Sequence, residues 1–124
     1  MPAPARALSR MLVAGSLLFG GIGAAHAAGA LAVGACGAYG YAYDFGNVAT
    51  ARATALRKCS GPCKAVIMRR ACAAFAIAGS KPCGAHGYAS AMRLGQAQNT
   101  ALRQCYKHGG RDCVIRAWAC DGKG

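Results

Sequence analysis

The chain has 124 residues and a formal net charge of +12, with fifteen Lys and Arg against three Asp and no Glu. So few carboxylates, with only three His, exclude most acid–base and paired-carboxylate hydrolytic sites. Eight cysteines in so short a chain point to a disulfide framework around a single domain.

The first element is an export leader over residues 1–27. Arg6 and Arg10 are its positive segment, Met11 to Ile22 its apolar run, and Ala25-His26-Ala27 places small residues on both sides of a cut. The run is shorter than the roughly 20 residues of a spanning helix, and no cysteine at the cut invites a lipid. A single domain, 28–124, follows; it retains thirteen Lys and Arg against three Asp, a net charge of about +10. A periplasmic or secreted destination follows from the leader and agrees with the cysteine content.

The domain is written twice. Cys36-Gly37-Ala38-Tyr39-Gly40-Tyr41-Ala42 recurs as Cys83-Gly84-Ala85-His86-Gly87-Tyr88-Ala89, and Thr54-Ala55-Leu56-Arg57-Lys58-Cys59 recurs as Thr100-Ala101-Leu102-Arg103-Gln104-Cys105. Repeat one spans 29–72 and repeat two 73–120. Each opens on an alternating strand, Ala30 to Val33 or Ala74 to Ile77. A second strand follows, Tyr39 to Tyr43 or His86 to Ala89. Gly40 and Gly87 in it predict a bulge or the close approach of another backbone.

A helix comes next. In repeat one Asn47 is the N-cap candidate, and Val48, Ala51, Ala55, Leu56 and Cys59 recur at helical spacing. In repeat two Ala97, Ala101, Leu102 and Cys105 form the equivalent face of a helix over about 95–105. Small alanines on that face let a helix lie close on a sheet. After Gly61-Pro62 or Gly109-Gly110 a closing strand covers Ala65 to Met68 or Val114 to Trp118. The fold class is α+β: two tandem ββαβ repeats forming one small disulfide-stapled domain, either sharing a sheet or packed face to face. Few side chains are large enough to build a core, so burial at about 25 cal/mol per Å² scarcely exceeds the ordering entropy, and covalent bridges supply the difference.

An Ala-rich strand, the Ala38–Tyr43 segment, a helix ending at Cys59 or Cys105, a Gly-bearing turn to Cys63 or Cys113, an apolar strand and a closing Ala71-Cys72 or Ala119-Cys120 together resemble the DUF4189 family of exported bacterial proteins. The resemblance covers essentially all of the chain after the leader. It implies repeated β/α units tied by disulfides and, for some members, an effector role on a host. No catalytic residue or cofactor comes with it. Cys36 and Cys83 are additions to the commoner three-cysteine pattern.

Eight cysteines allow 105 pairings. Local clasps Cys59–Cys63 and Cys105–Cys113 join each helix to the next strand, worth about 2 to 2.6 kcal/mol each in the chain-entropy model. Cys72–Cys120 and Cys36–Cys83 then join equivalent positions across a pseudo-twofold axis; the rival pairs are Cys36–Cys72 and Cys83–Cys120. The five-residue segment from Cys59 to Cys63 contains Gly-Pro, as thioredoxin-type motifs do. It has one residue too many, and Cys59 closes a helix, where the dipole disfavours a thiolate.

Neither repeat has the Cys-x2-Cys or His-x3-His spacing of a zinc site, so no metal or cofactor is expected. His86 replaces Tyr39 as a packing residue, His108 sits in a solvated loop, and Asp44 and Asp112 read as turn residues. No catalytic residue emerges. Tyr39, Tyr41, Tyr43 and Tyr88 alternate on strands; they read as sheet-face fillers, although aromatic strands beside arginines also stack single-stranded nucleic acid. Arg52, Arg57, Lys58, Arg69, Arg70, Arg103, Lys107, Arg111 and Arg116 are the candidate anion-binding surface if the halves bring them to one face. The expected function is a small secreted cationic binding or effector protein, its partner an anionic surface, a lipid or a host macromolecule. The alternatives are an enzyme acting on cell-wall or glycan polymers and a purely structural periplasmic protein.

Overall fold

A computed structural model describes residues 27–122. The expected leader lies outside these residues except for Ala27. Six strands and two α-helices follow in the order β1 (Ala28–Gly34), β2 (Tyr39–Phe45), α1 (Val48–Arg57), β3 (Cys63–Met68), β4 (Cys72–Ala78), β5 (His86–Ala91), α2 (Leu94–Lys107) and β6 (Cys113–Cys120). A short 3-10 turn, Ala35–Gly37, joins β1 to β2. The domain is α+β, with both halves in the order ββαβ.

Two three-stranded sheets form, ordered β2-β1-β3 and β5-β4-β6, with every pairing antiparallel. Within each sheet the outer strands therefore run parallel to each other, and the helix carries the chain from one to the other across the outer face. The two sheets stack face to face, with β2 beside β6 and β3 beside β5. The layers are helix, sheet, sheet, helix. No sheet is shared between the halves.

The strand sequences explain the layering. On β1, Ala30 and Ala32 turn toward α1, while Leu31 and Val33 turn toward the other sheet. On β4, Ala74 and Ala76 lie under α2, while Phe75 and Ile77 face inward. Both are central strands and are buried on both faces. Large side chains fill the space between sheets, where Leu31, Met68 and Phe75 are fully buried, and alanines occupy the helix side so that the helices approach closely.

That closeness is greatest at two glycines. A Cβ on Gly40 would stand 2.7 Å from the Lys58 Cβ, and one on Gly87 would stand 2.6 Å from the Gln104 Cβ. Of the two expectations for these glycines, the close approach is the one that forms. Helix α1 starts as the sequence implied, with the Asn47 side chain accepting the Thr50 N–H at 2.8 Å. Helix α2 runs longer than expected, has no side-chain cap, and begins after Arg93.

All eight cysteines are paired: Cys59–Cys63, Cys105–Cys113, Cys36–Cys83 and Cys72–Cys120. The rival long-range pairs do not form. Cys36–Cys83 joins equivalent turns of the two halves. Cys72–Cys120 does not span the halves: Cys72 opens β4, Cys120 closes β6, and the two are direct cross-strand neighbours in the second sheet. Their shared Ala-Cys setting concealed that one begins a strand and the other ends one. No helix among the described residues is long and apolar enough to cross a membrane, and four bridges fit an oxidising compartment.

Candidate functional site

The expected basic face is dispersed. Arg52, Arg57 and Lys58 belong to α1 and its C-cap, outside the first sheet, whereas Arg103 and Lys107 belong to α2, outside the second. The stacked sheets stand between them. Arg57 and Arg103 each donate to a threonine one turn back, Thr54 and Thr100, at 3.3 and 3.1 Å. Arg111 lies in the α2–β6 loop, and Arg69 and Arg70 lie in the turn between the sheets. Face-to-face packing puts the two helices on opposite sides of the molecule.

A groove of about 450 Å³ lies between the edge strands β2 and β6, and its lining includes Tyr39, Tyr41, Tyr43, Arg116, Ala117 and Trp118. Strand alternation puts the three tyrosines on the inward face of β2 beside Leu31 and Val33. Because β2 is an edge strand, the far end of the row projects past the second sheet. Tyr39 is half-buried, Tyr41 is 39 % exposed and Tyr43 is 50 % exposed. Their rings form a ladder: Tyr39 and Tyr41 have centroids 6.3 Å apart and planes 7° apart, and Tyr41 and Tyr43 are 6.1 Å and 25° apart.

A bulge supplies the cation. Phe75 pairs with Ala117 and Ala76 with Ile115, so Arg116 is one residue more than the ladder needs. Two consecutive residues of a bulge share a face, and Arg116 therefore joins Ala117 on the inward side. Its guanidinium lies 5.1 Å from the Tyr39 ring centre, and its Nε donates to the Gly37 carbonyl at 3.0 Å. Lys58 flanks the other side of the strand, its Nζ donating to the Tyr41 carbonyl at 3.2 Å. Gln104, the matching residue of α2, accepts the N–H of Tyr88 at 3.1 Å. Each helix end thus satisfies a backbone group on an otherwise open sheet edge. On the opposite side of the sandwich, Lys64 closes β3 onto β5, with Nζ 3.1 Å from the Tyr88 hydroxyl and 5.6 Å from its ring centre.

Other candidate residues take structural positions. His86 is exposed and edge-on to Phe75 at 6.3 Å, and His108 contacts the His86 carbonyl at 3.1 Å through Nδ1. Asp112 accepts the Ser80 N–H at 2.7 Å, holding the β4–β5 loop as a turn residue would. Asp44 differs from the turn expectation: it lies in β2 with φ +60°, where the register with β1 slips by one residue. Asp121, which sequence pattern did not single out, is fully buried and accepts the N–H of Asp44 at 2.9 Å and of Arg70 at 3.1 Å. Trp118 pairs with Ala74, so it faces outward from the second sheet, 51 % exposed, rather than joining the core. Among the described residues no three His, Cys, Asp or Glu side chains gather as a metal-ligand set.

No curated protein and no solved structure matches the chain. The family model described as "Domain of unknown function (DUF4189)" matches residues 28–120, from the first residue of β1 to the last of β6. The chain belongs to that family.

Proposed function

We propose that this is an exported, non-enzymatic binding protein that engages an anionic partner through the groove between β2 and β6. One observation carries the reading: Tyr41 and Tyr43 stand exposed in line with Tyr39, which lies beneath Arg116. A row of aromatic rings beside fixed cations suits a ligand with both flat or apolar parts and phosphate or carboxylate groups. The net charge of about +10 without the leader draws such a ligand in, and Arg116 holds it where the rings are. Four bridges supply the rigidity that a shallow site needs, because side chains already ordered lose less entropy on binding.

The test is direct binding of oxidised protein at low salt to three probes: phosphatidylglycerol vesicles, lipopolysaccharide and a single-stranded DNA oligonucleotide. Binding to at least one, weakened by Tyr41→Ala with Tyr43→Ala while the thermal midpoint stays unchanged, is the expected result. Binding to none, or binding indifferent to both tyrosines, overturns the reading.

A further inference from the structure

Asp121 places a fully buried carboxylate across the open end of the first sheet. Its Oδ1 accepts from Asp44, at the end of β2, and its Oδ2 accepts from Arg70, just past β3. The strand between those two is β1, which begins at Ala28. A Cβ on Gly29 would stand 3.2 Å from the Asp121 Cβ, and one on Gly122 would stand 3.3 Å from the Ala27 Cβ. The carboxylate therefore sits at the first residues of the central strand. Ala28 itself is 4 % exposed.

Among the described residues this carboxylate accepts from backbone amides, which stabilise a charge but do not neutralise it. A buried carboxylate without a counter-charge is costly. The nearby guanidinium-bearing residues, Arg69 and Arg70, are exposed, and the remaining acid of this corner, Asp44, is exposed as well.

We propose that Asp121 is the receptor for the chain's own new amino terminus, created when the leader is removed between Ala27 and Ala28. This rests on residues 1–27 being an export leader. Water adds across the Ala27–Ala28 peptide bond in the site of a signal peptidase, leaving a carboxylate on Ala27 and an ammonium on Ala28. The ammonium then lies beside Asp121, between the ends of β2 and β3. It supplies a positive charge that neither of the carboxylate's partners among the described residues carries, and Asp121 supplies the partner that a buried terminus needs. The precursor, with an amide nitrogen at the same place, has no such charge. Processing thus locks β1 into the centre of its sheet.

Intact-mass analysis of the exported protein first establishes whether it begins at Ala28; a different start refutes the leader assignment and this proposal together. Given that start, the folding equilibrium is compared by urea titration for protein beginning at Ala28 and for protein with one added glycine before it. The expected result is about a tenfold smaller folding constant for the extended chain. In the Asp121→Asn background the same extension changes it less than twofold. Should Asp121→Asn fail to fold, the unmodified protein still decides the matter. Its terminal amine, in the folded state, reacts with an amine-directed reagent at least tenfold more slowly than in urea. Equal effects of the extension in both backgrounds, or equal amine reactivity folded and unfolded, overturn the proposal while leaving the leader assignment intact.

Discussion

The Arg116 guanidinium carbon lies 5.1 Å from the centre of the Tyr39 ring, and the pair closes β6 of one sheet onto β2 of the other. Arg116 reaches this position through an extra residue in β6 that has no counterpart in β3. The cross-sheet contact on the opposite side, Lys64 with Tyr88, uses different positions for the same purpose. The similar halves are therefore joined by dissimilar clasps. Removing Arg116 with Arg116→Ala loses the ring contact and the hydrogen bond to Gly37, and is expected to destabilise by about 1–2 kcal/mol. Urea denaturation reads this, and Arg116→Lys is expected to recover only part of it, because an ammonium lacks the planar fork.

Gly40 and Gly87 separate close packing from backbone freedom. Neither has a positive φ, yet a Cβ at either would strike the helix behind it. Gly40→Ala and Gly87→Ala are each expected to cost about 3 kcal/mol, since helix backbone cannot step aside as a flexible side chain would. Gly46 has nothing within 4 Å of its Cβ position. Gly46→Ala is expected to change the thermal midpoint little, and a comparable loss there would refute the packing explanation.

The four bridges differ in access. Cys36 and Cys83 are both exposed, whereas each of the other pairs has at least one buried member. Cys36 also holds φ +57°, uncommon for a residue with a side chain. A mild reductant under native conditions is expected to open Cys36–Cys83 first, seen by alkylation and peptide mass analysis. Because the bridge spans 47 positions, its loss through Cys36→Ser with Cys83→Ser is expected to cost about 4 kcal/mol in the chain-entropy model. Earlier opening of Cys72–Cys120 would contradict the exposure argument.

Salt dependence tests the proposed groove. For a single-stranded oligonucleotide, each phosphate neutralised contributes about −0.7 to the slope of log affinity against log salt. Engagement of one phosphate by Arg116 is expected to contribute about −0.7 of the total. Arg116→Gln should flatten the slope, whereas Arg103→Gln, on the opposite outer layer, should not. Equal flattening by both would show that the charge acts diffusely rather than at the tyrosine row.

Much of the fold was legible because it rests on local rules. Alternation in Ala30 to Val33 and Ala74 to Ile77, helical spacing from Val48 to Cys59, and the Asn47 cap each depend on residues a few positions apart. The tyrosine row was legible as alternation, but its exposure was not. Whether Tyr41 and Tyr43 are covered depends on how far the second sheet extends beneath an edge strand, and nothing in their own segment encodes that.

What is written in the chain is the element order, the doubled motif and the need for covalent staples, all consequences of neighbouring residues and of composition. What required the folded molecule is which layers meet. Stacking the sheets sends α1 and α2 to opposite sides, which scatters the arginines that a single basic face would require together. The same stacking brings Arg116 to Tyr39 and buries Asp121 between Asp44 and Arg70, contacts spanning 77 and 51 positions to the acid's two partners. Such contacts follow from the register of whole strands, and a single bulged residue is enough to change which side chain arrives.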